Sequence, residues 1–267
     1  MKPTVAGFGW LEPPLLAAKW TLFHLLCLGD IDRYLALRGR IVKLASAWGL
    51  YERAHLKFLA GYLRPGDTAI DVGANLGAYS LAMSRAVGAT GQVLAFEPID
   101  EVYRQLQANC RDSANVRCFN VALSDREEAE AQMQVPLLFG SIPEPSLASL
   151  QLMKISFVKH SAPRTVRVTR LDDCLGDTTS VRLIKADIEG QELAFLRGAV
   201  RSLARFRPLV QVEVIGMASV RASWEEFAAA NGYRLCHLGR GGKLETIAPG
   251  AEIPEINFYL VPREAAA

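Results

Sequence analysis

Histidine, paired cysteine and charge of one sign are all scarce in this chain. The four histidines are His24, His55, His160 and His237, and no two stand at metal-ligand spacing. The five cysteines are scattered, with no C-x-x-C pair. That excludes a zinc frame and a disulfide scaffold, and an odd, dispersed set reads as reduced thiols in a cytoplasmic protein. Thirty Lys and Arg against 28 Asp and Glu leave a net charge of +2, so nothing draws the chain to nucleic acid or an anionic membrane. No transmembrane segment is read: the apolar stretch Leu15 to Leu28 is broken by Lys19 and His24 and is shorter than the roughly 20 residues a span needs. It also lacks the basic, apolar, small-residue order of a signal peptide, and reads instead as an amphipathic helix covering the domain. Aromatics are only 8% of residues, and Trp10, Trp20, Trp48 and Trp224 suit packing better than ligand stacking.

A dinucleotide fingerprint, G-x-G-x-x-G, is missing too. In its place stands T-A-I-D-V-G-A-N-L-G, Thr68 to Gly77. A β-prone run ends at Asp71, the glycines are spaced G-x-x-x-G at Gly73 and Gly77, and Ala78 to Val87 reads as a helix. Strand, glycine turn and helix in that order form a nucleoside-binding corner of an open α/β sheet. The spacing demands no diphosphate, and an acid at the strand end suits a ligand carrying an ammonium group. S-adenosylmethionine fits better than NAD.

The 267 residues, 50% hydrophobic, suffice for one core with an appended segment. Residues 1–14 hold Pro3, Gly7, Gly9, Pro13 and Pro14 and read as an irregular arm, and 15–48 as helices. Residues 1–48 thus form an N-terminal extension to a domain over 49–267. A helix over Glu52 to Leu63 precedes the first strand, with Ala54, Phe58, Leu59 and Leu63 at helical spacing. Further strands fall at Gln92–Phe96, Val116–Val121, Thr165–Thr169, Val181–Ala186, Pro208–Val214, Tyr233–Leu238 and Ile256–Val261, with helices over Ile99–Cys110, Gly190–Leu203 and Ser223–Asn231. Ser223 followed by Glu226 reads as a capping box. Residues 135–163, rich in proline and serine, read as a long irregular insertion and the acceptor-binding wall or lid. Alternating β and α elements imply a doubly wound parallel sheet.

Acids recur at the strand ends: Asp71, Glu97, Asp187 and Glu213. Glu97 is placed to accept two ribose hydroxyls. Asp187 should face the cleft, while Glu192 suits a helix first turn at least as well as catalysis. Lys185 stabilises a strand-end carboxylate.

Four separated motifs, D-V-G-A-N-L-G, F-E-P, L-D-D and K-A-D-I-E-G-Q-E, resemble in this order the FkbM family of S-adenosylmethionine-dependent methyltransferases, over about residues 50–215. The resemblance implies a class I methyltransferase (Rossmann-like) sheet of seven strands, the last antiparallel, and O-methylation of small-molecule or glycan hydroxyls. By motif match Asp71, Gly73, Asn75 and Gly77 would hold the donor's amino-acid end and Glu97 its ribose. The edge carrying Asn120 and Ala122 would border the adenine. A hydroxyl acceptor needs a proton acceptor, with Asp187, His160 and His237 the candidates. Asp187 and Glu189 are the oxygen ligands available should magnesium take part. A base methyltransferase is disfavoured because Asp187 is followed by Ile-Glu-Gly rather than by Pro-Pro and an aromatic. A binding module without turnover is the remaining alternative.

Overall fold

The computed structural model describes residues 27, 30–47, 53–138, 142–143, 160–214, 217–251 and 257–263. The central sheet contains β1 (Thr68–Val72), β2 (Gln92–Phe96), β3 (Val116–Phe119), β8 (Leu183–Ala186), β9 (Leu209–Glu213), β10 (Tyr233–Leu238), β11 (Leu244–Thr246) and β12 (Asn257–Pro262). Its order is β11-β10-β12-β9-β8-β1-β2-β3. From β3 to β9 every pairing is parallel, and β12 runs antiparallel to both β9 and β10. This is the expected class I sheet with β11 added at one edge. The chain leaves β1 for β2 on one side and later returns to β8 on the other. The strand order therefore reverses at β1, where the carboxyl ends open a crevice.

The strands are apolar along their length because helices cover both faces. Ile70 and Val72 point into a cluster with Ile184, Val210, Phe195 and Trp224. Ala69, Val93 and Leu183 point the other way, beneath α2 (Arg53–Tyr62) and α3 (Ala78–Val87), with Leu59, Tyr79 and Met83. His55 on α2 hydrogen-bonds the Tyr259 hydroxyl at 2.7 Å. Further helices are α1 (Ile31–Ala47), α4 (Asp100–Cys110), α5 (Glu192–Arg197), α6 (Val200–Phe206) and α7 (Met217–Ala230). The expected arm over 1–14 lies outside the described residues.

Parts of the region read as irregular, 135–138, 142–143 and 160–163, belong to a second sheet. β4 (Ala122–Leu123), β7 (His160–Thr169), β5 (Glu128–Leu138) and β6 (Ile142–Pro143) lie side by side in that order. β5 and β7 pair antiparallel from Glu128↔Val168 to Leu137↔His160. Ala131, Met133, Val135, Val166 and Val168 alternate inward, and that period of two outweighs the prolines. Pro163 is tolerated because β4 reaches only Val168 and Thr169, which leaves β7 an edge at that point among the described residues. Residues 144–159 lie outside the described set.

Two helix readings also change. Ser223 sits inside α7, so its capping box does not form. The single helix over 190–203 is two, α5 and α6, broken where Gly198 is pressed on the Ser124 carbonyl.

Candidate active site

The turn after β1 is shaped by three left-handed residues, Gly73 (φ 76°), Asn75 (φ 49°) and Gly77 (φ 88°). Glycine adopts this conformation without strain, and asparagine tolerates it better than most. The turn is tied to its neighbours at each step. The Gly73 and Ala74 amides donate to the Phe96 carbonyl at 3.1 and 2.9 Å. The Asn75 amide donates to Glu97 Oε2 at 3.0 Å, and the Ile99 amide to Glu97 Oε1 at 3.0 Å. Glu97 is thus a staple between the turns that follow β1 and β2. Burial pushes its carboxyl up to about 7, against the pull of the Ile99 and Asn75 amides.

Asp71 is placed differently from the expected ammonium contact. It is fully buried below the turn, on the α3 side of the sheet. Ser80 Oγ donates to its Oδ2 at 2.6 Å, and Lys185 Nζ stands 3.9 Å from its Oδ1. Desolvation raises the Asp71 carboxyl above the ordinary carboxylate range, opposed by Lys185. Asp71 supports the turn from within rather than lining its surface.

The second wall is the turn after β8. Lys185 pairs in register with Asp71, and its ammonium also reaches Asp187 Oδ2 at 3.2 Å. The Lys185 ammonium lies 4.6 Å from the centre of the Tyr79 ring. The Asp187 side chain is 31% exposed, where that of Asp71 is at 0%. Glu189 takes a left-handed conformation (φ 55°). Its carboxyl is raised to about 8 by burial, then by Asp187, Glu213 and Glu192. Glu192 Oε1 accepts the amides of Ile188 (3.0 Å) and Gly190 (3.1 Å), one on each side of Glu189. Burial raises Glu192 to about 7, against those amides.

The two turns touch. A Cβ on Gly73 would strike the Asp187 carbonyl oxygen and come within 2.9 Å of Ile188 Cγ2. Gly73, Asn75, Gly77, Glu97 and Asp187 therefore gather at the reversal point. Asn120 joins them, its Nδ2 donating to the carbonyls of Glu97 (3.1 Å) and Pro98 (3.0 Å). Ala122 is buried in the cluster that holds Leu76 and Ile99, behind the turns. His237 is not brought in. It lies on β10, three strand spacings of about 4.8 Å from β8, with Nε2 3.6 Å from Glu245 Oε2. His160 begins β7 in the second sheet. The magnesium option at Asp187 and Glu189 gains no support, since among the described residues no three His, Cys, Asp or Glu side chains converge as ligands.

Sequence reasoning missed Ser80 and Asn109. Asn109 Nδ2 donates to the Leu76 carbonyl at 2.8 Å. Its one signal was a polar side chain on the apolar stripe of Val102, Leu106 and Cys110.

The family described as Methyltransferase FkbM domain matches residues 71–235, more than half of the chain. The chain belongs to the FkbM methyltransferase family. Among solved structures, this FkbM methyltransferase is similar to methyltransferase FkbM from Methylobacillus flagellatus, at 14% identity and TM-score 0.46. That match covers 91% of this chain and 60% of the Methylobacillus chain. It is also similar to an S-adenosylmethionine-dependent O-methyltransferase from Thermotoga maritima, at 12% identity and TM-score 0.45, covering 80% of this chain and 66% of that one. A third is fibrillarin from Aeropyrum pernix with bound S-adenosylmethionine, at 14% identity and TM-score 0.44, covering 82% and 74%. A search of curated proteins finds no match.

Proposed function

We propose that this FkbM methyltransferase transfers a methyl group to a hydroxyl of a small molecule or glycan, with S-adenosylmethionine lodged between the 73–77 and 187–190 turns. One observation carries this reading: Gly73, bare of side chain, meets the Asp187 carbonyl and the Ile188 side chain at the reversal point of the sheet. That contact joins the two turns at the floor of the crevice, and a ligand above it would lie against the backbone of the left-handed 73–77 turn, as a compact nucleoside needs. The residues present fit it. Gly73, Asn75 and Gly77 would hold the amino-acid end, and Glu97 the ribose. Asn120 would border the adenine, backed by buried Ala122. Asp71 would act at one remove, fixing Lys185 and the start of α3.

The donor supplies an electrophilic methyl group. The chain's own part is to align the acceptor oxygen and to take its proton. Asp187 is the proton acceptor in this reading: it is half-buried, and Lys185 Nζ stands 3.2 Å from its Oδ2. The β5–β7 hairpin of the second sheet forms the acceptor wall, its inward residues packed with Leu76 and Ile99. The acids Asp187 and Glu213 at the ends of β8 and β9 would repel a polyanion, which favours a small hydroxyl compound over nucleic acid as acceptor.

The test is mass spectrometry after incubating the protein with isotope-labelled S-adenosylmethionine and a panel of sugars, glycans and small alcohols. The expected result is a labelled methyl ether on one of them. Transfer only to nucleic acid, or donor binding with no transfer to any hydroxyl, contradicts the acceptor assignment.

A further inference from the structure

Helix α1 lies N-terminal to the segment that matches the family, yet it reaches the turn after β1. Two contacts bring it there. Leu35 is 1% exposed and packs with Leu76 and Ile99, the apolar residues of the turns after β1 and β2. Gly39 lies four residues on, hence on the same helix face, and a Cβ there would come within 2.8 Å of both Asn109 Nδ2 and Gln105 Nε2.

Those two amides form a relay. Gln105 Nε2 donates to Asn109 Oδ1 at 2.9 Å, and Asn109 Nδ2 donates to the Leu76 carbonyl at 2.8 Å. The orientation of Asn109 follows from its acceptor, because the Leu76 oxygen can only be met by an N–H. Asn109 is buried, with α1 closed over it through Gly39. Leu76 stands between left-handed Asn75 and left-handed Gly77. Within the turn the Gly77 amide, which shares a peptide unit with the Leu76 carbonyl, donates to the Ala74 carbonyl at 2.9 Å. The bond from Asn109 holds the other end of that peptide from outside, and the orientation of the Leu76 peptide sets where Asn75 and Gly77 present their backbone.

We propose that Asn109 is a positioning residue for the methyl donor, and that α1 tunes donor affinity by keeping the Asn109–Leu76 bond dry and aligned. This rests on the reading that the 73–77 turn holds the donor. Shifting α1 lets water compete for the Leu76 carbonyl, and the turn then samples orientations that do not bind. The surface pair Asp32–Arg104 also links α1 to α4, but both side chains are about 60% exposed and the pair contributes little.

The experiment is calorimetric titration of the full chain with S-adenosylmethionine and with S-adenosylhomocysteine, no acceptor present, alongside the thermal midpoint without ligand. The variants are Asn109→Leu, Gly39→Leu, their combination, and Gln105→Ala as a milder break in the relay. The expected result is about tenfold weaker binding of both ligands for Asn109→Leu and for Gly39→Leu. The double variant should be no weaker than the worse single one, because both act on one bond. Gln105→Ala should weaken binding about threefold with the thermal midpoint nearly unchanged. Arg104→Ala should bind as the parent does. Parent-like donor binding in Gly39→Leu and Gln105→Ala, whatever their thermal midpoints, overturns the proposal. So do fully additive losses in the double variant. If the parent itself binds neither compound, the donor-site reading fails first and is recognised by that result.

Discussion

Gly73→Ala is the sharpest single perturbation of the crevice. Two terms oppose it. Alanine at φ 76° sits in the left-handed region, at about 1–2 kcal/mol. Its methyl must also displace the Asp187 carbonyl and Ile188 Cγ2. Forcing a methyl into a packed contact adds about 1–3 kcal/mol. The sum is about 2–5 kcal/mol, a large part of the stability of an ordinary domain. Urea denaturation reads it directly, and the loss should appear in the midpoint with little change of slope. Two comparison variants separate the terms. Gly176→Ala has φ 46° and open space around it, so only the backbone term applies. Gly61→Ala lies in helix α2 with nothing within 4 Å, and should stabilise by about 0.5–1 kcal/mol. Relief of the clash must part the two turns, so S-adenosylmethionine affinity should fall by tenfold or more, at about 1.4 kcal/mol per decade. A Gly73→Ala protein as stable as Gly176→Ala, with parent-like affinity, would show that the turns do not press on each other.

Other outcomes follow from the buried charges. Glu97→Ala leaves the Asn75 and Ile99 amides without their acceptor and should cost about 2–4 kcal/mol, while Glu97→Gln keeps an acceptor and should cost less; denaturant midpoints compare them. Lys185→Met strands buried Asp71 and should destabilise by about 3–5 kcal/mol at neutral pH, with part of the loss recovered by adding Asp71→Asn. Glu97, Glu189 and Glu192 all have folded values raised from 4.5, to about 7, 8 and 7. Each contribution is fully present below the unfolded value and lost as pH rises through the folded one. Stability should therefore fall between about pH 5 and about pH 9, and Glu189→Gln should flatten the upper part of that fall by about 2 kcal/mol, less than the full shift implies because neighbouring acids share the proton. Asp187→Asn should leave donor binding intact by calorimetry while turnover drops about a hundredfold or more, as loss of a proton acceptor does.

The sheet was legible because its strands announce themselves twice, as apolar runs and as runs that end in an acid or a glycine. Asp71, Glu97 and Asp187 mark three such ends, and the α3 boundaries were read as Ala78 and Val87, where the structure has them. The second sheet was obscured by Pro136 and Pro163, which read as loop residues. The alternating buried residues of β5 and β7 were the competing signal, and it is a pattern spread over two distant segments. The sequence placed the acids at the strand ends correctly, but not their surroundings. Whether a carboxylate is half-exposed, as Asp187 is, or sealed under a helix, as Asp71 is, depends on its surroundings in the fold. Lys185 lies opposite Asp71 only because β8 pairs with β1, more than a hundred residues away along the chain. Glu192 could be read as a capping acid, yet its grip on the amides beside Glu189 needed the turn itself.

The central claim is that a sulfonium nucleoside is held where the 73–77 turn meets the 187–190 turn. Calorimetry of the parent protein with S-adenosylhomocysteine, beside NAD at equal concentration, tests it most directly. Saturable binding of the thioether nucleoside and no heat from the dinucleotide is the predicted result. Uptake of NAD with none of the nucleoside contradicts the account.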